Sequence, residues 1–148
     1  MIATADFAVQ SPDKQLQLLV EARKKVPASR EWAARMRRNL FAHLSLPEAR
    51  FFLLALPERF YLWKDAPSQT PVPPNYEEDA QEVLRPYLEK IHIPLANLSE
   101  NSFELLVQSW LEDLISSDRE PPPAQQWLKE SGLYDAIRNG SIRIQGSP

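Results

Sequence analysis

Two acidic side chains near the start of the chain have the spacing and context of a metal site. Asp6 lies in the short apolar segment ADFAVQ, and Glu21 follows the longer apolar segment QLQLLV. If these segments are two strands of a hairpin joined by the turn SPDK, the two carboxylates come close together. Carboxylate oxygens are the ligands that Mg²⁺ prefers, and bound Mg²⁺ polarises a phosphate and activates a water molecule. Asp6 and Glu21 are therefore the candidate metal ligands.

Positive charges follow Glu21 at alternating positions. Because side chains alternate between the two faces of a strand, Glu21, Arg23 and Lys25 share one face. A cation beside two metal-binding acids can orient the attacking water or neutralise charge that develops on a phosphate. The candidate catalytic residues are therefore Asp6, Glu21, Arg23 and Lys25. Asp13 lies in the predicted turn, where aspartate is a favoured residue, and is assigned to that turn.

The segment from residue 23 to residue 38 is rich in arginine and lysine. Such a cluster can bind the phosphate groups of a nucleic acid. The candidate nucleic-acid-binding residues are Lys24, Arg30, Arg35, Arg37 and Arg38. The chain as a whole is acidic, with a sequence pI of about 5.4, and so exerts no long-range attraction on nucleic acid. A solvated helix face that pairs with acidic residues of the same chain or of a second copy is the alternative.

The two parts of the chain carry opposite net charge. Residues 1–65 contain 11 lysines and arginines against 7 acidic residues, whereas residues 66–148 contain 6 against 13. This complementarity predicts that two copies can associate as a homodimer, and a separate protein partner is a further option.

Composition excludes several classes of site and location. The 148 residues include no cysteine and two isolated histidines, which excludes disulfides and thiolate chemistry and disfavours a zinc site. No apolar run approaches the roughly 18 residues that span a bilayer, so we expect no membrane association. Met1 to Phe7 lacks the basic start and apolar middle of a secretory signal. The expected location is the cytoplasm.

Prolines divide the chain into parts. The sequence contains 14 prolines and 3 glycines, with proline clusters at residues 67–74 and 121–123. Because proline can continue neither a helix interior nor a central strand, the first cluster predicts a stiff, extended connector. We expect a single domain over residues 1–148, in which residues 1–65 form a sheet-rich core with a basic helix. Residues 66–148 add the proline-rich connector and an acidic helical tail packed on that core.

Hydrophobic periodicity assigns elements to the first part of the chain. Ser29 is a suitable N-cap for a helix that reaches about Leu44. Within it Trp32, Met36 and Leu40 recur at every fourth position, which predicts a core-facing stripe. The continuous apolar run RFFLLAL predicts a central strand covered on both faces, and RFYLW predicts a fourth strand.

The second part of the chain is predicted to be mainly helical. EEDAQEVLRPYLEKI predicts a helix with Pro86 as a kink or boundary, and Asn101 or Ser102 caps a helix from about Phe103 to Ser116. PPAQQWLKESG and LYDAIRNG predict shorter helices, and SIRI predicts a final strand. The resulting fold class is α/β or α+β. A small mixed sheet that begins with an antiparallel hairpin is flanked by helices, and the C-terminal half is helical.

The motifs of the first two strands, and the order of the elements that follow them, resemble those of the restriction-endonuclease-like PD-(D/E)xK superfamily. Its pattern is an Asp at the start of one strand and (D/E)-x-K at the end of the next, followed by a helix and a further strand. ADFAV places Asp6 at the first acidic position, and LLVEAR places Glu21 at the second and Arg23 at the lysine position. Over most of its length the chain is also similar to uncharacterised bacterial proteins, chiefly of cyanobacteria, that combine this core with a helical tail like SFELLVQSWLEDLI.

The resemblance implies alternative functions. An active member would be a Mg²⁺-dependent nuclease that uses Asp6, Glu21 and either Arg23 or Lys25. However, arginine has a pKa above about 12 and cannot exchange a proton with water at neutral pH. Asp6 also lies only five residues after Met1, too close for the helix that precedes this strand in the superfamily. We therefore expect a degenerate member that acts as a nucleic-acid-binding or protein-interaction module, with a homo-oligomeric adaptor unrelated to nucleic acid as the remaining option.

Overall fold

The computed structural model describes residues 5–27, 29–44, 46–116 and 118–144. The strands within these ranges are β1 (Phe7–Gln10), β2 (Leu16–Ala22), β3 (Phe51–Ala55), β4 (Arg59–Lys64), β5 (Tyr76–Asp79) and β6 (Ser141–Ile144). The α-helices are α1 (Arg30–Leu44), α2 (Ala80–Ile91), α3 (Glu100–Ser116), α4 (Trp127–Glu130) and α5 (Leu133–Ile137). Short 3-10 turns at Leu95–Asn97 and Pro123–Gln125 precede α3 and α4.

The strands form one mixed sheet in the order β5-β4-β3-β2-β1-β6. β1 and β2 are an antiparallel hairpin, as the sequence predicts, and β2 runs parallel to β3 through the connection that contains α1. The pairs β3–β4, β4–β5 and β1–β6 are antiparallel. The fold is therefore a mixed α/β arrangement in which the C-terminal strand returns to the outer edge of the first hairpin.

Helices cover both faces of this sheet. Along β2, Leu18 and Val20 belong to the hydrophobic cluster that α2 to α5 complete on one face, whereas Leu19 belongs to the cluster beneath α1. All five residues of β3 are buried, which confirms the interpretation of RFFLLAL as a central strand covered on both sides.

Helix α1 packs on the sheet through small residues. Ser29 caps it as predicted, because its side-chain oxygen accepts the Trp32 N–H at 3.0 Å. Ala33 and Ala34 are fully buried and allow a close approach to the sheet, whereas Trp32 and Met36 are half-buried. The predicted apolar stripe therefore lies on one flank of α1: its inner side packs against the core and its outer side faces solvent.

Two boundaries in the second part of the chain differ from the prediction. Residues Tyr76–Asp79 form strand β5 instead of the start of a helix, because the extended connector leads them along the open edge of β4. Asp79 then caps α2 by accepting the Gln81 N–H at 2.9 Å. Helix α3 begins at Glu100, and Ser99 caps it in place of Asn101 or Ser102 by accepting the Ser102 N–H at 3.1 Å.

The C-terminal elements follow the predicted order. α4, α5 and β6 occupy the segments that PPAQQWLKESG, LYDAIRNG and SIRI indicate. Gly132 separates the two helices with a φ of 86°, a left-handed conformation that glycine adopts without strain. Across residues 5–27, 29–44, 46–116 and 118–144, no helix combines the length and apolar character that crossing a membrane requires.

A buried arginine connects α1 to the proline-rich connector. The side chain of Arg37 is only 3% exposed and donates to the carbonyl oxygens of Pro67 at 2.8 Å and Ala66 at 3.1 Å. Its guanidinium lies 4.8 Å from the ring centre of Phe41 and 5.6 Å from that of Trp63, in cation–π contact. Burial lowers the pKa of Arg37 to about 10, so the group remains charged at neutral pH.

Removing this guanidinium should destabilise the fold. We expect Arg37→Ala to lower the free energy of unfolding by about 3 kcal/mol, because it removes two hydrogen bonds to the connector and leaves a gap between aromatic rings in the core. Urea denaturation measures the change. Arg38→Ala, on the exposed side of the same helix, is the control and should change stability by less than about 0.5 kcal/mol. Equal effects of the two variants would contradict the structural role of Arg37.

Candidate functional site

The two acids lie at the point where the β1–β2 pairing ends. Phe7 pairs with Val20 in the backbone ladder. Beyond that pair, the side chains of Asp6 and Glu21 take part in the hydrogen bonds between the two segments. The Asp6 N–H donates to Glu21 Oε1 at 3.1 Å, and the Ala22 N–H donates to Asp6 Oδ2 at 2.8 Å. Each carboxylate therefore accepts a backbone hydrogen bond from the opposite strand.

Arg23 completes what we call the Glu21 site, which consists of Asp6, Glu21 and Arg23. The Arg23 guanidinium donates to Glu21 Oε2 through Nε at 3.0 Å and Nη2 at 2.7 Å. Its backbone N–H donates to the Ala55 carbonyl at 3.0 Å and so holds the segment against β3. Glu21 is 1% exposed and Arg23 is 32% exposed, so the ion pair closes the site toward solvent.

Burial dominates the electrostatics of this site. Burial raises the pKa of Asp6, against the opposing effects of the Ala22 N–H and the Arg23 charge. Burial, together with the Asp6 charge, likewise raises the pKa of Glu21, although Arg23 opposes the shift. Burial by itself would lower the pKa of Arg23, but its hydrogen bond to Glu21 and the nearby negative charges raise it overall. Arg23 is therefore a permanent cation that cannot act as a proton donor or acceptor.

Two further acids approach the site from α3, and sequence reasoning missed them. The Lys24 N–H donates to Glu100 Oε2 at 3.3 Å, and the Glu100 charge contributes to the raised pKa of Asp6. Burial, followed by the charges of Asp6 and Glu100, raises the pKa of Glu104. These residues reach the site only because α3 packs across the end of β2. No local sequence motif predicts a contact between residues so far apart in the chain.

The Glu21 site offers few free oxygen ligands to a divalent metal. Among the residues that the structure describes, no group of three or more His, Cys, Asp or Glu side chains is arranged to hold a metal ion. Both oxygens of Glu21 already accept hydrogen bonds, one from Asp6 and the other from Arg23. In this conformation Mg²⁺ could reach Glu21 Oε2 only by displacing the guanidinium, so Glu21 serves as an ion-pair partner.

The remaining candidate cations are exposed, with the exception of Arg37. Lys25 is exposed and lines a groove beside α1 that Arg23 also borders. Four candidate nucleic-acid-binding side chains are exposed, namely Lys24, Arg30, Arg35 and Arg38. Arg30 also donates to the Pro74 carbonyl at 2.7 Å. Arg37, which the sequence places with them, is instead buried against the connector because its face of α1 points to the sheet, so it does not belong to this surface.

Comparison of the chain with protein-family models, with curated proteins and with solved structures found no match. The relationship to the restriction-endonuclease-like superfamily therefore remains a prediction. It rests on the motifs of β1 and β2 and on the order of the elements that follow them.

Removing only the cation of the Glu21–Arg23 ion pair should lower the free energy of unfolding more than replacing both charged partners. We expect Arg23→Ala to lower the free energy of unfolding by about 3 kcal/mol, because it leaves the Glu21 carboxylate buried without its cation. Adding Glu21→Gln should recover at least about 1 kcal/mol, since glutamine keeps an acceptor for the Asp6 N–H without the charge. Urea denaturation of the two single variants and the double variant measures this coupling.

An exposed ion pair provides the control for this comparison. Arg59 and Glu77 lie 3.6 Å apart at the edge of the sheet, and both side chains are partly exposed. Arg59→Ala should cost less than about 1 kcal/mol. A double variant of Glu21 and Arg23 that is less stable than Arg23→Ala would contradict the account of a buried charge.

The raised pKa values also predict a pH dependence. Asp6 and Glu21 have a higher pKa in the folded chain than their ordinary values of 3.8 and 4.5. Above these pH values the folded state therefore holds more protons than the unfolded state. Their contribution to stability is therefore full at acid pH and is lost as the pH rises through the raised pKa values. Asp6→Asn removes one such group and reduces the shift of Glu21.

We therefore expect the stability of Asp6→Asn relative to the wild type to increase between about pH 4 and pH 7. Urea denaturation at several pH values measures the difference. Asp118→Asn, which removes an exposed carboxylate outside the Glu21 site, is the control. If the wild type instead became more stable relative to Asp6→Asn over this interval, the pKa of Asp6 would be lowered in the folded chain and not raised.

Proposed function

We propose that this chain is a non-catalytic member of the restriction-endonuclease-like superfamily that binds nucleic acid. The observation that carries the proposal is the ion pair between Glu21 and Arg23, in which the two residues aligned with the acid and the cation of the superfamily motif neutralise each other. The order of hairpin, helix and parallel strand from β1 to β3 agrees with the order that the resemblance implies.

The state of the Glu21 site disfavours catalysis in two ways. Phosphodiester hydrolysis with Mg²⁺ requires carboxylate oxygens that the metal can reach, whereas Glu21 is 1% exposed and its Oε2 accepts two hydrogen bonds from Arg23. It also requires a group or a bound water that can transfer protons, which Arg23 cannot supply because its pKa is raised further. Asp6 retains one oxygen that is not engaged with Ala22, and a single ligand of this kind does not bind Mg²⁺ firmly.

The exposed basic residues of α1 support nucleic acid as the ligand. Arg35 and Arg38 are three positions apart, which places them on neighbouring parts of the solvent-facing side of the helix. Arg30 lies on the same helix, beside the connector prolines. Cations at such spacing can contact successive phosphates without reading the base sequence. The expected binding is therefore sensitive to salt and insensitive to sequence.

A titration with Mg²⁺ or Mn²⁺ in the presence of plasmid and single-stranded DNA tests both parts of this proposal. We expect no cleavage, together with binding that weakens as salt increases. The double variant Arg35→Ala/Arg38→Ala should reduce the slope of log affinity against log salt by about two, because each phosphate contact contributes about one. Arg85→Ala/Arg143→Ala removes two exposed arginines elsewhere and serves as the control.

Two outcomes would overturn the proposal. Metal-dependent cleavage that Glu21→Gln abolishes would identify an active nuclease that uses Asp6, Glu21 and Arg23 or Lys25. Absence of salt-sensitive binding would remove nucleic acid as the ligand.

Self-association is the second candidate function, because one specific observation favours it. The apolar stripe of α1 is only half-buried, so its outer side remains available to a partner. Exposed apolar stripes bordered by charged residues mark protein interaction sites. The opposite net charges of residues 1–65 and 66–148 favour a second copy of the same chain as that partner.

A further inference from the structure

One tryptophan of the chain differs from the other three in its surroundings. Trp63, Trp110 and Trp127 are at most 4% exposed, and each packs against another aromatic ring. Trp32, in the first turn of α1, is half-buried. Within the part of the chain that the structure describes, no other aromatic ring contacts it. Part of this side chain is therefore accessible to a ligand from solvent.

Trp32 lines a groove that runs beside α1. The groove has a volume of about 520 Å³, and its apolar lining continues from Trp32 through Met36, Leu40 and Leu44. Because these residues recur at every fourth position, they form one continuous apolar surface. A volume of this size falls within the range of about 300 to 1,000 Å³ that is typical of ligand pockets. We refer to this feature as the α1 groove.

The margin of the α1 groove is positively charged. Arg23, Lys25 and Arg35 line it beside the apolar surface, and none of the described residues that line it is acidic. Arg23 is engaged with Glu21, whereas Lys25 and Arg35 are exposed and can reach a ligand. The groove therefore suits a ligand that joins a flat apolar ring to a negative charge.

A nucleotide of a single strand has this composition. Its base can stack on an aromatic side chain while its phosphates contact nearby cations, which is the usual mode of single-strand binding. The bases of a duplex are stacked on one another and do not offer a free face to such a side chain. Arg35 at the margin and Arg38 three positions later extend the basic surface beyond the groove, where the next phosphates of a strand would lie.

We propose that the α1 groove binds single-stranded nucleic acid, with one base stacked on Trp32 and the adjoining phosphates at Lys25 and Arg35. The inference deepens the proposed nucleic-acid binding and rests on it. It assigns the half-buried stripe of α1 to the nucleic acid instead of to a second copy of the chain. Because every base has a flat face, stacking of this kind tolerates any sequence.

Binding of the full chain to an oligothymidylate single strand and to a duplex of equal length tests the proposal. We expect tighter binding of the single strand. Trp32→Leu, which keeps an apolar side chain on the groove, should weaken single-strand binding about tenfold and leave duplex binding unchanged. Trp32→Phe keeps a ring and should retain most of the affinity. Tyr76→Leu removes a half-buried aromatic ring outside the groove and is the matched control.

The salt dependence of the same binding separates stacking from charge. Trp32→Leu should lower the single-strand affinity at every salt concentration without changing the slope of log affinity against log salt, because no charge is lost. Lys25→Ala should instead reduce that slope by about 0.7, the contribution of one phosphate contact on a single strand.

Tryptophan fluorescence reports the stacking itself, because the other three tryptophans are buried. We expect the single strand to quench the emission of the wild type, since a stacked base quenches an indole. Trp32→Leu should lose this quenching, and the duplex should not produce it.

The outcomes distinguish this inference from the function on which it rests. Salt-sensitive binding that is equal for the two strand forms, or that Trp32→Leu leaves unchanged, would overturn the α1 groove as a base-binding site while leaving nucleic-acid binding in place. Absence of salt-sensitive binding to either form would overturn both.

Discussion

The arrangement of this chain depends on the neutralisation of one buried carboxylate. Glu21 lies near the end of the strand that joins the parallel and antiparallel parts of the sheet, and it is 1% exposed. A charge at that depth requires a partner, and Arg23, the residue after β2, supplies it. The ion pair closes the end of β2, and the next residue, Lys24, contacts α3 through its N–H, which donates to Glu100.

The basic stretch contains two kinds of cation. The guanidinium groups of Arg23 and Arg37 act inside the protein, one on a carboxylate and the other on carbonyl oxygens of the connector. Arg35, Arg38 and Lys25 stay at the surface, where they can contact a ligand. The net charge of the basic stretch therefore overstates its capacity to bind phosphate. Separating internal from external cations narrows the candidate surface to the outer side of α1 and the margin of the groove beside it.

Local patterns predicted most of the elements but not their long-range contacts. The runs that became β1 to β4 and β6, together with α1 and its Ser29 cap, follow from periodicity and from turn and capping chemistry. Strand β5 could not be predicted, because the acidic segment 76–79 resembles a helix N-terminus and is extended only by pairing with β4. Burial of Arg37 and the approach of Glu100 likewise depend on tertiary packing. Alternation along β2 selected Glu21, Arg23 and Lys25, and the predicted hairpin added Asp6, whereas the hydrogen bonding of Asp6, Glu21 and Arg23 required the structure.

The pairing of β6 with β1 has a consequence for synthesis on the ribosome. Phe7 lies opposite Ile144, so the outer edge of β1 is not covered until the residues up to Ile144 have been synthesised. During that interval the edge presents unpaired backbone groups that can join strands of other nascent chains. The hairpin with β2 protects only one side of β1. Contacts of such high sequence separation also slow folding, which makes completion of the sheet a late event.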